Sequence, residues 1–490
     1  MKKEDNKTWI YLLCSFVLAF WAYGVFLYPH FSQDTYAKSL YNQAWSFNDA
    51  ISSGRYTFWL VSTTIFKLFK TRALNNTFSN ALCIIFFAVS IYSTYSLLTH
   101  NSKKHRPIAF LLSAAIFINP CFVDYFQFPE CNIIFSFGLI LVIISAKSLF
   151  NDNYGIFRKH IQSALMLIIT VGIYQPLINY FVLLGLLLIW NKFVSTFETD
   201  KKNTFIELAR NLISCISVYL SASILQLIVT SIFHSNQRIS RDYIQNITTV
   251  IKSQASLWKM QSTGNKTYLY ILLFCSATVL LIIQLYKKYS SHLPVPFVVL
   301  LTLYAGLYIS SFATHIVAEP WLSQRTTSVF YSHIVLILYA SYTVLDKELH
   351  IGIIGIASIL ICLFIYRSNN LSIQTIKNNA YDEQIVYNVM EFIDAYESKN
   401  QVSVNNIAIS RDKYVTWAYP SIHSSYDLNV RAWCYTWAVS GLIHQYTGRL
   451  YNVVPMEPEK KSAIFGDADW SRFNYDQLYA EGDTLYMLVY

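Results

Sequence analysis

Residues 9–29 contain no charged side chain and follow a short basic head, and this run limits what the chain can become. A helix needs roughly 20 mostly apolar residues to cross a bilayer, because the hydrocarbon is ~30 Å thick and each residue rises ~1.5 Å. The run is too long for the apolar part of a secretory leader and lacks a small-residue cleavage site, so it reads as a first transmembrane helix that stays. Further apolar runs cover residues 77–98, 108–122, 131–150, 161–172, 176–190, 212–233, 268–286, 294–313, 328–345 and 351–366. Together they predict a polytopic α-helical membrane protein with about eleven transmembrane helices. The stretch 161–190 is long for one helix and short for two, and Pro176 interrupts it. Two short or broken helices meeting at 172–176 are expected, beside a cavity, since irregular backbone at membrane depth needs protein or water around it.

Composition agrees. Only 13% of the 490 residues are charged, against roughly 25% in soluble proteins. The net charge of +9 does not indicate nucleic acid, because the basic residues lie between apolar runs and not on one solvated face. They act as a topology signal. With the N-terminus cytoplasmic, Lys103, Lys104 and Arg106 fall inside, as do Lys147, Arg158 and Lys159, then Lys192, Lys201, Lys202 and Arg210, then Lys287 and Lys288. The opposite loops 124–130 and 174–175 contain no Lys or Arg, whereas 234–266 breaks the pattern with five basic residues. An odd number of spans then puts the C-terminus outside. Cys14, Cys83, Cys215, Cys275 and Cys362 lie in apolar runs as small hydrophobes. Cys121 and Cys131 flank one short loop and could pair in an oxidising compartment.

Residues 1–366 therefore form the multi-span part, and residues 367–490 a small soluble α/β or α+β domain. Within the latter, 382–396 has helical spacing, and 402–410 and 484–490 read as strands.

Candidate chemistry gathers on the outer side. The first outside loop, 30–72, places Asp34 just beyond the first span, with Asp49, Gly54 and Arg55 after it and an interfacial helix at 56–70. A carboxylate at the membrane boundary is partly desolvated and suits a base toward a hydroxyl. Alternatively Asp34 caps the next helix, as Ser32 or Thr35 also could. Asp124 and Glu130 flank the loop DYFQFPE, Tyr174 and Gln175 sit in the helix break, and Glu319, Trp321 and Arg325 precede the tenth span. Ionisable groups at membrane depth are expensive and are functional candidates by default. Loop solvation or an ion pair, such as Glu319 with Arg325, is the plain alternative. Arg325 and Arg55 suit a phosphate, because guanidinium presents a fork of donors. No nucleotide fingerprint, Gly-rich phosphate loop or metal motif is present. Trp417, Trp433, Trp437 and Trp470 make the C-terminal part Trp-rich, which fits either its core or a sugar site, and Cys434 reads as a buried thiol.

The order of short motifs resembles the bacterial and phage glucosyl transferase II family, the serotype-converting O-antigen glucosyltransferases of Gtr type. After one N-terminal span come SQDTY (32–36), Trp45 with Gly54 and Arg55, FPE (128–130), IYQPLIN (173–179), WLSQRT (321–326) and RAWCYTW (431–437), covering nearly the whole chain. The resemblance implies a GT-C-like glycosyltransferase of the bacterial inner membrane. It implies glucose transfer from undecaprenyl-phosphate glucose to lipid-linked O-antigen on the periplasmic face, with no cofactor and no metal. A flippase and a polyprenyl-phosphate glucose synthase would be functional partners. By the same resemblance Asp34 is the base, with Glu130 and Asp49 as further acids; the loop has no tandem acidic pair. Arg325 and Arg55 would hold the donor phosphate. Tyr174, Gln175, Glu319 and Trp321 would line the cavity, and Trp417, Trp433 and Trp437 would bind the acceptor. The rival class is a transporter or flippase of lipid-linked saccharide, which explains the spans and the break at Pro176 but not the outward polar set. A non-catalytic cell-surface assembly protein is a third reading.

Overall fold

A computed structural model of the chain describes residues 8–39, 47–65, 72–99, 106–197, 200–232, 242–261, 267–289, 294–317, 320–344, 350–411, 428–466 and 473–489. Helix α1 (Thr8–Tyr23) runs into a 3-10 turn, Gly24–Leu27. The segment that follows forms α2 (Gln33–Ser39), α3 (Phe47–Ser52) and α4 (Tyr56–Ile65). Next come α5 (Arg72–Thr99), α6 (Arg106–Phe117), the single turn α7 (Val123–Phe126) and α8 (Asn132–Leu149). They are followed by α9 (Ile156–Val171), α10 (Ile178–Phe197), α11 (Lys201–Ile232), α12 (Tyr243–Lys252) and α13 (Gln254–Gln261). The bundle closes with α14 (Thr267–Tyr289), α15 (Pro294–Ser310), α16 (Ala313–Val317), α17 (His333–Val344) and the first half of α18 (His350–Asn400).

Among the described residues, eight segments are helical, long and apolar enough to cross a membrane: Trp9–Leu27, Asn76–Thr99, Arg106–Phe126, Asn132–Leu149, Gln175–Phe197, Asn203–Ile232, Tyr268–Tyr289 and His350–Asn400. Pro294–Ser310 and Ser328–Val344 are shorter apolar helices. The run at 161–172 belongs to α9, whose first half carries Arg158, Lys159 and His160. The sequence count of about eleven therefore divides into eight full-length helices, two shorter ones and half of α9. The expected break is present: α9 ends at Val171, and a 3-10 turn at Gln175–Leu177 begins the next helix. Cys121 and Cys131 are both buried, and no disulfide joins them.

Helix α18 is 51 residues long, or about 77 Å at ~1.5 Å per residue. It runs straight across residue 366, where the composition changes. Ile353, Ala357, Leu360, Ile361 and Phe364 of its first half pack in the bundle core. Ile385, Val386, Val389, Met390 and Ile393 of its second half pack in a separate C-terminal core. Both sets recur at three- and four-residue intervals, so one helix buries a stripe in each environment.

The C-terminal part contains β1 (Asn406–Arg411), α19 (Thr436–Thr447), β2 (Asn452–Pro455), α20 (Pro458–Phe465), β3 (Leu478–Glu481) and β4 (Thr484–Val489). Its sheet has the order β2-β1-β4-β3, with β1 parallel to β2 and β4, and β3 antiparallel to β4. Ile407 and Ile409 of β1 face the core shared with α18 and α19, while Ala408 joins Met456, Phe465 and Leu488 on the other face. A sheet covered on both faces is the α/β arrangement that parallel strands require. Tyr36 of α2 lies in the same core as α18 and α19, so α2 is built into the C-terminal layer.

Candidate active site

The chain leaving the first span is fixed on two sides. Phe31 donates its N–H to Asn379 Oδ1 at 2.8 Å and accepts from Asn379 Nδ2 at 2.9 Å, which ties it to α18. The His30 ring lies between the carbonyls of Tyr28 at 3.1 Å and Phe126 at 2.8 Å. Helix α2 then starts with Ser32 as its cap. Ser32 Oγ accepts the Thr35 N–H at 3.0 Å, and Thr35 Oγ1 accepts the Ser32 N–H at 3.1 Å, a reciprocal closure of the kind that helix starts favour. Both hydroxyls then donate to one carboxylate: Ser32 to Glu130 Oε1 at 3.2 Å and Thr35 to Glu130 Oε2 at 2.7 Å. Glu130 is buried, so the loop carrying FPE clamps the start of α2. Asp34 sits half-buried in the first turn, between the two clamped residues. Capping falls to Ser32, which removes the capping alternative for Asp34.

On its other flank α2 meets the C-terminal layer. Gln33 Nε2 donates to the Val430 carbonyl at 2.5 Å, and the Tyr36 and Tyr446 hydroxyls lie 3.2 Å apart. Gly441 of α19 permits the contact, because a Cβ there would overlap the Tyr36 carbonyl.

A second cluster forms around Arg325. Asp124, wholly buried in α7, accepts the Arg325 backbone N–H at Oδ2 and Arg325 Nη1 at Oδ1, both at 2.9 Å. The Tyr125 hydroxyl donates to the Arg325 carbonyl at 3.2 Å, and the guanidinium carbon lies 4.6 Å from the centre of the Phe128 ring. Arg325 thus pairs with Asp124; Glu319, the partner suggested from sequence, lies outside the described residues. The Arg55 guanidinium carbon lies 5.2 Å from the centre of the Tyr174 ring. Burial raises the pKa of the Tyr174 hydroxyl, and the charges of Arg325 and Arg55 work against that rise. The two cations therefore share Tyr174 as a neighbour.

The Arg55 segment is positioned by the helix break. Thr57 and Phe58 donate their N–H groups to the Gly172 carbonyl at 3.0 and 3.1 Å. Gln175 Nε2 donates to the Ser53 carbonyl at 2.8 Å, and Gln226 Nε2 donates to that of Gly54 at 2.8 Å. Gly54 has φ +68, a left-handed conformation that favours glycine.

Among the residues named from sequence, Asp34 and Glu130 come together on one side, and Arg325, Tyr174, Arg55 and Gln175 on the other. The loop from Asp124 to Glu130 joins the two groups. Trp321 is half-exposed at the start of the Arg325 segment, Trp433 is fully buried, and Trp437 is half-exposed on α19. Trp433 donates its ring N–H to the Asp382 carbonyl at 3.2 Å and is a core residue. Glu319 and Trp417 lie outside the described residues, and of Asp49 only the backbone, in α3, is described. Gln226 and Asn379 were given no role from sequence, and Asp124 was recognised as an ionisable candidate but not as the partner of Arg325. For Gln226 a signal existed, since a Gln inside an apolar span is costly without a partner. Among the described residues no group of three or more His, Cys, Asp or Glu side chains gathers as a metal site. A cavity of about 230 Å³ opens in the C-terminal layer, and neither cluster lines it.

A family model described as Glucosyl transferase GtrII matches residues 23–341. No curated protein and no solved structure matches the chain. The matched stretch contains both clusters and ends before α18.

Proposed function

Because the chain belongs to the glucosyl transferase GtrII family, we propose that it transfers glucose from undecaprenyl-phosphate glucose to lipid-linked O-antigen at the periplasmic face of the inner membrane. The observation that carries this reading is the convergence of four separate outer segments. The Asp34 helix bonds to the 124–130 loop, which bonds in turn to the Arg325 segment, while the break at 172–175 bonds to the Arg55 segment and sets the Tyr174 ring 6.1 Å from that of Tyr125. A carboxylate and two guanidinium groups on one polar rim suit attack by a sugar hydroxyl on a phosphate-activated sugar.

In the proposed reaction, the acceptor hydroxyl attacks the anomeric carbon of the donor glucose. The bond between that carbon and the phosphate oxygen breaks. The hydroxyl proton passes to the Asp34 carboxylate, and Arg325 and Arg55 offset the charge on the departing polyprenyl phosphate. Tyr174 and Phe128 hold the two guanidinium groups against aromatic faces. Asp49 and Trp321 stay as further candidates. A lipid-carried donor requires no cytoplasmic nucleotide site, in line with the absence of a nucleotide fingerprint. A flippase and a synthase for the polyprenyl-phosphate glucose would supply the donor to this face.

Replacement Asp34→Asn tests the reading. The purified variant should unfold at the wild-type temperature and transfer glucose at least about 10²-fold more slowly, the usual contribution of a positioned base. Near-normal glucosylation of lipid-linked O-antigen would remove Asp34 from the mechanism. Movement of lipid-linked sugar without a new glycosidic bond would replace the transferase reading with a transporter.

A further inference from the structure

The cavity in the C-terminal layer lies outside the family match and has a defined chemical character. Its wall is formed by Ile409, Ser410 and Arg411 at the end of β1, Val489 at the end of β4, and residues 433–437 at the start of α19. β1 and β4 are parallel, so it opens at the carboxyl ends of adjacent parallel strands, where ligands of α/β sheets bind. The rings of Tyr435 and Trp437 lie 5.1 Å apart and tilted by 38°. Arg411 donates Nε and Nη2 to the Cys434 carbonyl at 3.2 and 2.9 Å, and its guanidinium carbon is 5.3 Å from the centre of the Tyr435 ring. Among the described residues the lining contains no Asp or Glu.

The described set offers little to a purely apolar ligand, since Ser410, Arg411 and Thr436 contribute polar groups to the wall. Exposed aromatic faces with hydrogen-bonding neighbours complement a sugar ring, which has an apolar C–H face and a rim of hydroxyls. Trp437 is half-exposed, although a side chain of that size is normally covered.

The cavity is also connected to the proposed reaction site. Trp437 and Gly441 are four residues apart on α19 and share one face, about 6 Å apart. Gly441 is the contact point for Tyr36 in the helix that carries Asp34. Residues 430–437 run without interruption from the Gln33 hydrogen bond to the cavity wall.

We propose that this cavity is a second saccharide subsite, which holds sugar residues of the acceptor other than the one being modified, with Trp437 and Tyr435 as the stacking platform and Arg411 as hydrogen-bond donor. The assignment rests on the transferase reading for its role, but not for the binding itself. A neutral or acidic oligosaccharide satisfies this lining.

The test uses the full chain in lipid nanodiscs, with lipid-free O-antigen oligosaccharide as the probe. Saturation-transfer NMR should show contact between the probe and the wild-type protein, and loss of it with Trp437→Ala and Arg411→Ala. Trp437→Phe should retain part of the signal. In the transfer assay the alanine variants should raise the acceptor KM about three- to tenfold, with donor KM unchanged. Undiminished oligosaccharide contact in both alanine variants, or no contact with the wild type, would overturn the subsite. A wild-type protein that binds the oligosaccharide through Trp437 but forms no glycosidic bond would uphold the subsite and sink the transferase reading. Melting curves that match the wild type separate loss of the site from loss of the fold.

Discussion

Asp124 holds Arg325 at two points, the backbone N–H through Oδ2 and the guanidinium through Oδ1, each at 2.9 Å. The acid is fully buried and the arginine side chain is 16% exposed, so the pair faces the site only from the arginine side. A guanidinium whose head and backbone are held by one carboxylate has a fixed direction, and small displacements of such groups cost rate steeply. Asp124→Ala should lower transfer by about 10²-fold or more and destabilise the fold by up to about 3–5 kcal/mol, because it leaves a largely buried charge without its partner. Asp124→Asn keeps one acceptor for the backbone N–H and should retain more of the stability than of the activity. Thermal unfolding and single-turnover transfer, measured on both variants, check the ordering.

Glu130 separates a positioning role from a chemical one. Its two oxygens accept the hydroxyls of Ser32 and Thr35, on either side of Asp34 in the chain. A glutamine in its place can accept one hydroxyl and donate to the other, because a hydroxyl works in either sense. Glu130→Gln should therefore stay within a few-fold of wild-type activity. Glu130→Ala removes two hydrogen bonds to a charged group, worth about 1.5–3 kcal/mol each, and should loosen α2 and slow transfer sharply. An inactive but fully stable Glu130→Gln would make Glu130 a participant in the chemistry instead.

The helices were legible because hydropathy alone determines them: runs of apolar residues have one stable form in lipid. The break at Pro176 was legible for the same reason, as an interruption of such a run. Two strands of the C-terminal sheet, β1 and β4, were visible by pattern, but their parallel pairing, which sets Ile409 against Met487 78 positions away, was not, since register carries no local signal. Composition located a change of environment at residue 366. It could not show that α18 continues through it, because the same helix is apolar on one side and amphipathic on the other. The outer polar residues were recognisable one by one. Their partners were not: Asp124 and Arg325 are 201 positions apart, and only packing of α7 against the Arg325 segment makes them neighbours. Ser32 and Thr35 were visible as capping residues, whereas their donation to Glu130 depends on a loop 95 residues away from Thr35.

Gly54 tests the placement of Arg55. At φ +68 an alanine costs roughly 1 kcal/mol in backbone strain, and its Cβ would also overlap the amide groups of Gln226 and Gln175. Those amides fix the carbonyls of Ser53 and Gly54, so pushing them aside displaces Arg55 from Tyr174. Gly54→Ala should raise the KM for the polyprenyl-phosphate donor more than it alters the KM for the acceptor. Equal effects on both would place Arg55 outside the donor site. Steady-state kinetics with each substrate varied in turn supply the comparison.

Gly441 governs the joint between the two parts of the molecule. A Cβ at this position would meet the Tyr36 carbonyl and carbon, which are backbone atoms of α2 and cannot rotate away. Gly441→Ala must therefore separate α19 from α2, at a cost of about 1–3 kcal/mol for an overpacked contact. The separation stretches the Gln33 bond to Val430 and shifts the turn that carries Asp34. The expected result is a lower melting temperature together with a fall in transfer, even though Gly441 belongs to neither cluster. Gly355→Ala in α18 is the control, since nothing lies within 4 Å of a Cβ there and alanine favours a helix. If Gly441→Ala melts and transfers like that control, then α2 does not depend on the C-terminal layer for its position, and that layer acts on the acceptor alone.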